Sequence, residues 1–352
     1  MERSSPDVVR SVTDEQVLRA LMRRRRLTRA ELALAIGISK PTAGESVRRL
    51  TERGLVADTG ERTPGGRGRG RVGSYYALAP TVGTALAVVI APEGIVAEAV
   101  DVYGDTVARA TRPAVPGQVA AAFEAVAAEI DQVGPPIRVA VVSAADPVDR
   151  TTGRLVHLPD SPFLVGALDP AAVLGKAGSV IVDNDVNWAA RAESDNRRDF
   201  AYLYLGEGLG CAIVNDGEVR RGHSGLTGEI AHVLTEGPDG RAVPFIELFG
   251  VLGLRQTGST AIDVPRLLAD PAAHPKLGTA VSGIIAAVVA LADPQEVVLG
   301  GSWGPALADE IRAATARSPR PVPVRAAAVT DNPVLTGVRG EALNRLRSLV
   351  TS

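Results

Sequence analysis

Polar residues follow a short apolar run near the middle of the chain. Val180–Val182 has the composition of a buried strand, and the polar run Asp183–Asn187 comes directly after it. Polar groups at the carboxyl end of a strand lie where open α/β sheets bind ligands. Asn184 and Asp185 are therefore candidate ligand contacts, with structural hydrogen bonds at a sheet end as the alternative.

Three further segments contain residue types that can form a site. Leu205–Gly210 is rich in glycine, although a lone glycine loop is more often a plain hairpin. Glu229 and His232 lie three residues apart, so both can converge on one site or form a surface pair. Val298–Ser302 is a strand pattern that runs into a glycine turn.

Strand-like and Ala-rich helical segments alternate through the body of the chain, which predicts an α/β fold with buried strands. The predicted strands are Ala85–Ile90, Arg138–Val142, Val180–Val182, Ala201–Leu205 and Val297–Leu299. The predicted helices are Val119–Val133 and Ile284–Leu291.

The first 78 residues show three helical patterns in quick succession. The first opens at Thr13, with Gln16 three residues on, and the second at Thr28, with Glu31 in the same position; both match a capping box. We expect the second helix to bury Leu32, Ala35 and Ile36, and Gly37 to form the turn before a third helix that opens at Ser39. Helix, glycine turn and helix are typical of a helix-turn-helix.

The third helix has an apolar side and a side with short donors and cations, which suit base edges and phosphates. Leu55–Ala57 and Tyr75–Leu78 follow as a strand and its hairpin partner. The residues predicted to contact DNA from the helices are Thr28, Ser39, Lys40, Thr42, Ser46 and Arg49.

A loop with arginine at alternate positions separates those two strands. Arg67, Arg69 and Arg71 alternate with glycine, and this loop is interpreted as a wing that inserts guanidinium groups into a minor groove. The alternative is a disordered linker with incidental charge.

The charge distribution agrees with a DNA-binding segment on a separate body. The net charge of -2 divides into +7 for residues 1–75 and -9 for the remaining residues. A solvated basic surface would give the same balance. The single Cys211 excludes an intramolecular disulfide and a cysteine-built zinc site. We expect no membrane span and a cytoplasmic location, because the N-terminus is polar and long apolar runs are lacking.

The order and spacing of these motifs resemble the ROK family (repressors, open reading frames, kinases), within the hexokinase–actin ATPase fold. Asn184–Ala190 with Glu193, then Gly228–His232, carry the resemblance, and Asp146–Asp149 with Gly153 resembles the loop beside the sugar. The resemblance implies an α/β chain with a winged helix-turn-helix at 1–78 and a two-lobed actin/hexokinase-like body at 79–352. The lobes would be about 79–182 with the C-terminal helix, and 183–339.

The same resemblance implies how a sugar is bound. It implies that the hydroxyls of a sugar are hydrogen-bonded by Asn184, Asp185, Glu229, His232 and Glu247. Adjacent hydroxyls of a pyranose suit bidentate binding by carboxylates and an amide. In a family kinase Asp185 would be the general base.

Three departures from the family pattern argue against phosphoryl transfer. The stretch Thr81–Ala87, matched to the Asp-x-Gly-Gly-Thr phosphate loop, has no Asp and one Gly, and Glu207 replaces the Thr of the second loop. A carboxylate facing a triphosphate is repulsive by roughly 1 to 4 kcal/mol. Cysteines are absent from Val233 to Phe249, so we expect no structural zinc.

The sequence therefore predicts a transcriptional regulator, a repressor of sugar metabolism genes, with no catalytic residues, cofactor or metal. Its predicted partners are a double-stranded DNA operator and a sugar or sugar derivative, and we expect a homodimer or homotetramer. Two alternatives stay open: a sugar kinase with a DNA-binding head, and a regulator whose sugar pocket is vestigial.

Overall fold

Residues 5–64 and 72–78 form a small helical unit with a three-stranded sheet. The computed structural model describes residues 5–64, 72–132, 134–156, 168–194 and 197–352. The elements of this unit, called the head, are α1 (Ser5–Arg24), β1 (Arg26–Thr28), α2 (Arg29–Ile36), α3 (Lys40–Glu52), β2 (Val56–Arg62) and β3 (Ser74–Leu78). The sheet order is β1-β3-β2, with both pairs antiparallel.

Local signals at the helix ends explain two of the three helices, α2 and α3; Ser39 caps α3 by accepting a hydrogen bond from the N–H of Thr42. Thr28 caps α2 in a reciprocal capping box with Glu31, as predicted, and Gly37 ends α2 in a left-handed conformation with φ 71°. The expectation for the first helix was wrong: α1 begins at Ser5, so Thr13 lies inside it. Ala35 is exposed and Ala33 is buried in its place, because the inward face of α2 is centred on Leu32.

Two sheets follow, each with helices on its faces. The first set of elements is β4 (Thr84–Ala91), β5 (Gly94–Val100), β6 (Thr106–Arg112), α4 (Val119–Asp131), β7 (Ile137–Ala144), α5 (Pro170–Val173) and β8 (Val180–Asn184). The second set is α6 (Asp185–Ala192), β9 (Phe200–Leu205), β10 (Leu209–Asn215), β11 (Glu218–Val219), β12 (Leu234–Glu236), β13 (Ala242–Pro244), α7 (Phe245–Val251), α8 (Val264–Leu268), α9 (His274–Ala292), β14 (Glu296–Gly300), α10 (Ala308–Thr315) and β15 (Val324–Ala326). The last helix is α11 (Pro333–Thr351).

The two main sheets repeat one topology. Their orders are β6-β5-β4-β7-β8 and β11-β10-β9-β14-β15. In each sheet the first three strands in chain order form an antiparallel meander, and the next two strands add in parallel. The body therefore has two lobes of like construction, as expected for the actin/hexokinase-like fold.

The second lobe is built around a long apolar helix. Helix α9 is the one helix in the described part of the chain that is long and apolar enough to cross a membrane by length and composition. Leu277, Val281, Ile284 and Ile285 on α9 are buried in the core of the second lobe. These contacts are those of a core helix in a globular domain.

One hydrophobic core joins the head to the first lobe. It includes Leu21 of α1, Val47 of α3, Ala85 of β4 and Leu346 of α11, all completely buried. Helix α11 packs on the face of the first sheet opposite α4, and α1 packs beside α11. The head is therefore fixed to the first lobe by buried apolar contacts.

Candidate functional site

A cavity of about 660 Å³ lies between the two lobes, and we call it the interlobe cavity. The turn after β4, the end of β8 and the β9–β10 turn all reach it, so both lobes contribute to its wall. The polar side chains that line it include Glu93, Asn184, Asp185, Tyr204, Glu207, Glu229 and His232.

Asp185 is the first residue of α6, directly after the strand β8. Its Oδ1 accepts a hydrogen bond of 2.7 Å from the backbone N–H of Val186. Burial raises the pKa of Asp185 to about 7, and the nearby carboxylates of Glu229, Asp146 and Glu93 raise it further, while the bond from Val186 opposes the rise. The group therefore changes protonation close to neutral pH.

Two of its predicted companions line the same cavity from a different element. Glu229 precedes a 3-10 turn that contains His232. Burial, followed by the charge of Asp146, raises the pKa of Glu229, and His232 lowers it.

Asn184 shows how the end of β8 is held. Its Oδ1 accepts from the N–H of Val186 at 2.9 Å and caps α6, and its Nδ2 donates to the carbonyl of Ala145 at 3.4 Å. Four predicted sugar contacts, Asn184, Asp185, Glu229 and His232, thus line one cavity; their contact with a sugar stays a prediction.

Glu247 does not line this cavity. It lies on α7 with an exposed side chain, and its Oε1 pairs with Nη2 of Arg255 at 3.1 Å. Its neighbour Ile246 lines the cavity instead, because successive residues of a helix project in different directions. The inclusion of Glu247 among the ligand contacts was wrong.

The first phosphate-loop position was also placed wrongly. Thr81–Ala87 lies near the head, where the hydroxyl of Thr81 donates to the carbonyl of Gly54 and Val82 packs into the shared core. The turn that reaches the cavity joins β4 to β5 and contains Glu93. The second turn, between β9 and β10, contains Glu207 as expected. Each lobe therefore places a carboxylate at the cavity through a hairpin turn.

The sequence interpretation missed Glu93 and Tyr204. Tyr204 is partly buried near Asp185, Glu93 and Glu207, and burial together with these charges raises the pKa of its hydroxyl. The glycine turn at Glu93–Gly94 between two apolar runs was the signal for the first hairpin. Arg109 also lines the cavity, but its guanidinium pairs with Glu98 at 3.0 Å.

The solvent side of α3 is smaller than the sequence predicted. Ser39, Lys40 and Thr42 are exposed, and the hydroxyls of Ser39 and Thr42 lie 2.7 Å apart. Arg48 is also exposed, but Glu45 and Glu52 both pair with it. DNA contact by Ser39, Lys40 and Thr42 stays a prediction.

Three residues assigned to DNA contact have structural partners within the head. Ser46 is completely buried and its hydroxyl donates to Asp14 of α1; Nη2 of Arg49 donates to the same carboxylate at 2.6 Å. These bonds hold α3 against α1. Thr28 is buried and its hydroxyl donates to Glu31 at 2.9 Å. The assignments of the buried Thr28 and Ser46 to the DNA-facing surface are therefore wrong, whereas DNA contact by the partly exposed Arg49 stays a prediction.

The wing hairpin is formed by β2 and β3, closed by a bond of 2.9 Å from the N–H of Thr63 to the carbonyl of Gly73. Arg67, Arg69 and Arg71 lie outside the described residues. Among the described residues, no group of three or more His, Cys, Asp or Glu side chains could hold a metal ion.

Comparisons with known proteins identify both parts of the chain. A winged helix-turn-helix DNA-binding model matches residues 10–57, and the ROK family model matches residues 90–245. The chain combines a winged helix-turn-helix with a ROK family domain. The ROK match covers both hairpin turns, Asp185 and the segment with Glu229 and His232.

This chain is similar to one curated relative and to two solved structures. The N-acetylmannosamine kinase of Citrobacter koseri is 28% identical over 188 residues, which are 48% of this chain and 61% of that kinase. The match thus spans less than two thirds of that relative.

A ROK family transcriptional regulator, a homologue of the Escherichia coli MLC protein, has a TM-score of 0.62 at 15% identity, covering 97% of this chain and 99% of that one. A ROK family glucokinase from Streptomyces griseus, in complex with glucose and AMPPNP, has a TM-score of 0.54 at 22% identity. It covers 74% of this chain and 99% of that one. At these identities the structures show the fold, with the head present in the regulator's match.

Proposed function

We propose that this protein is a cytoplasmic, DNA-binding repressor whose ROK domain binds an uncharged sugar or an amino sugar and transfers no phosphate. One observation carries the proposal: a head with an exposed helix α3 is fixed to a body whose interlobe cavity gathers four carboxylates. The similarity to a solved ROK regulator over 97% of the chain supports it.

The hairpin turns argue against nucleotide binding. Glu93 and Glu207 occupy the turns by which the two lobes reach the cavity. Each carboxylate repels a phosphate by roughly 1 to 4 kcal/mol at surface-like dielectric. The same charges favour a neutral polyol or a cationic amino group, since both can donate hydrogen bonds to carboxylates.

A thermal-melting screen of the whole protein tests the ligand. We expect one class of uncharged or amino sugar to raise the Tm, because a ligand at about 100 times its Kd adds roughly 2.7 kcal/mol of stability. Asp185→Asn should abolish the rise, whereas Asp239→Asn, in an exposed turn, should retain it. An equal rise in wild type and Asp185→Asn would contradict a site at Asp185, and no rise with any sugar would favour a vestigial pocket.

Operator binding tests the head separately. Lys40→Ala should weaken binding to DNA and, if Lys40 contacts a phosphate, lower the salt slope by about one. Lys276→Ala, an exposed lysine on α9, is the matched control and should change neither quantity. If the two variants have the same operator affinity and the same salt slope, the N-terminal end of α3 does not contact the DNA.

The proposed regulatory coupling follows from two states of the body. A sugar that binds the closed lobes more tightly than the open lobes shifts the population toward closure, and operator affinity changes with it. We propose a homodimer or homotetramer, since two heads on a palindrome need a fixed spacing. Operator affinity that is unchanged by a sugar shown to bind would contradict this coupling.

A sugar kinase is the second candidate, and Asp185 favours it. A carboxylate with a pKa of about 7 suits a general base at neutral pH. Sugar-dependent ADP production that Asp185→Asn abolishes would establish the kinase and overturn the proposal of a non-catalytic ROK domain.

A further inference from the structure

A second cavity, of about 650 Å³, lies where the head meets the body, and we call it the junction pocket. Arg19, Arg23 and Arg25 line it from the end of α1 and the residue after it. Tyr103 and Arg347 line it from the first lobe and from α11. The pocket therefore exists only while head and body are in contact.

Four guanidinium groups share this pocket, and only two have a carboxylate partner. Arg19 pairs with Glu15 at 2.6 Å, and Arg25 pairs with Asp105. Nε of Arg23 donates to the carbonyl of Arg19 at 3.3 Å, and Nε of Arg347 donates to the carbonyl of Val102 at 3.0 Å. No carboxylate in the described part of the chain forms an ion pair with either Arg23 or Arg347. Two positive charges are thus left unbalanced.

Arg25 is held in position by the body. Its backbone has φ 63°, a left-handed conformation that a residue other than glycine adopts at some energetic cost. The hydroxyl of Tyr103 donates to the carbonyl of Arg25 at 3.2 Å and accepts from the N–H of Leu78 at 3.1 Å. The guanidinium of Arg25 lies over the ring of Tyr103, 5.2 Å from its centroid. Contacts with Tyr103 therefore hold Arg25 in place at one side of the pocket.

We propose that the junction pocket binds the phosphate group of a small phosphorylated ligand. A phosphate monoester carries about -1.5 to -2 charge at pH 7, which matches the two unbalanced guanidinium groups. The planar fork of arginine binds phosphate oxygens in pairs. The phosphodiesters of DNA offer related chemistry, and the experiment below separates the two sources.

Binding here joins two parts of the chain. The ligand would contact α1 of the head and α11 of the body at once, so it would stabilise their contact. The site is independent of the interlobe cavity and does not depend on whether a sugar binds there.

Isothermal titration calorimetry on the whole protein tests the proposal, with inorganic phosphate and glycerol 3-phosphate as probes and glycerol as the uncharged comparison. We expect both phosphates to bind and glycerol not to bind. Arg23→Gln should weaken phosphate binding about tenfold, because it removes one charge-assisted contact. Arg24→Gln is the matched control, because Arg24 is exposed beside Arg23 but does not line the pocket. The affinity of this variant for phosphate should stay within about twofold of the wild-type affinity.

Two results would overturn the proposal. Equal weakening in Arg23→Gln and Arg24→Gln, or no heat with either phosphate, would mean that the pocket binds no phosphate ester. Absence of phosphate binding together with weaker binding of random duplex DNA by Arg23→Gln, but not by Arg24→Gln, would assign Arg23 to the DNA backbone instead.

Discussion

The interlobe cavity and the junction pocket have nearly the same volume and opposite charge. The interlobe cavity, of about 660 Å³, is lined by four carboxylates. The junction pocket, of about 650 Å³, is lined by four guanidinium groups. Volume therefore says little about what each one binds. The charges favour a neutral or cationic polyol in the first and a phosphate in the second.

The two cavities differ also in their response to pH. In the interlobe cavity burial raises the pKa of Asp185 to about 7 and raises that of Glu229. In the junction pocket the bond to Asp105 raises the pKa of Arg25, so this guanidinium stays charged at every physiological pH. The acidic cavity can be adjusted by protons and the basic one cannot.

The largest effect expected from this contrast concerns stability and pH. Folding raises the pKa of Asp185 from 3.8 to about 7. The stability that this shift contributes to the folded state is therefore fully present below about pH 4 and is lost as the pH rises through 7. Between pH 5 and pH 8 the free energy of unfolding of the wild type should fall by about 2 to 3 kcal/mol relative to that of Asp185→Asn. Urea unfolding of both proteins at the two pH values measures this difference.

Asp239→Asn is the control, because its side chain is exposed in a turn. If the free energies of unfolding of the wild type and of Asp185→Asn differ by the same amount at both pH values, Asp185 is ionised throughout this range. The interlobe cavity would then have no response to pH through this residue.

A smaller effect is expected from removing the charge of the hairpin turns. The double variant Glu93→Gln with Glu207→Gln removes two carboxylates that repel phosphate. In the interlobe cavity, it should raise the ratio of the affinity for a sugar phosphate to the affinity for the uncharged sugar about tenfold. The sugar found in the melting screen and its phosphate are compared by calorimetry in an Arg23→Gln background, which weakens the junction pocket. Glu124→Gln with Glu236→Gln, both exposed elsewhere, is the control. An unchanged ratio of the two affinities would show that these turns do not exclude phosphate.

The smallest effect is the response to salt. Raising the ionic strength from about 0.05 to 0.5 M should weaken phosphate binding at the junction pocket roughly threefold, since the Debye length shortens. Binding of an uncharged sugar in the interlobe cavity should change little. Calorimetry at the two salt concentrations compares them, and equal salt dependence would remove the electrostatic distinction between the cavities.

Local patterns made much of the fold and part of the site predictable. Thr28 with Glu31 indicated the start of α2, and the polar run after Val180–Val182 indicated the cavity residues Asn184 and Asp185. These signals involve residues that are close together in the sequence, so they can be recognised without the folded structure.

The failures depended on partners distant in sequence. Ser46 lies on the buried stripe of α3, where its hydroxyl donates a hydrogen bond to Asp14, 32 residues earlier in the chain. Glu247 pairs with Arg255, eight residues later, and does not line the cavity. The junction pocket combines Arg23 with Arg347, which only the folded chain brings together.

The hydrophobic core that the head shares with the first lobe has a mechanical consequence. Since Leu21, Val47 and Leu346 belong to one buried cluster, the head and that lobe should rotate together as a single stiff unit. The interlobe cavity lies between this unit and the second lobe, so a ligand that draws the two lobes together would move helix α3 relative to the second lobe.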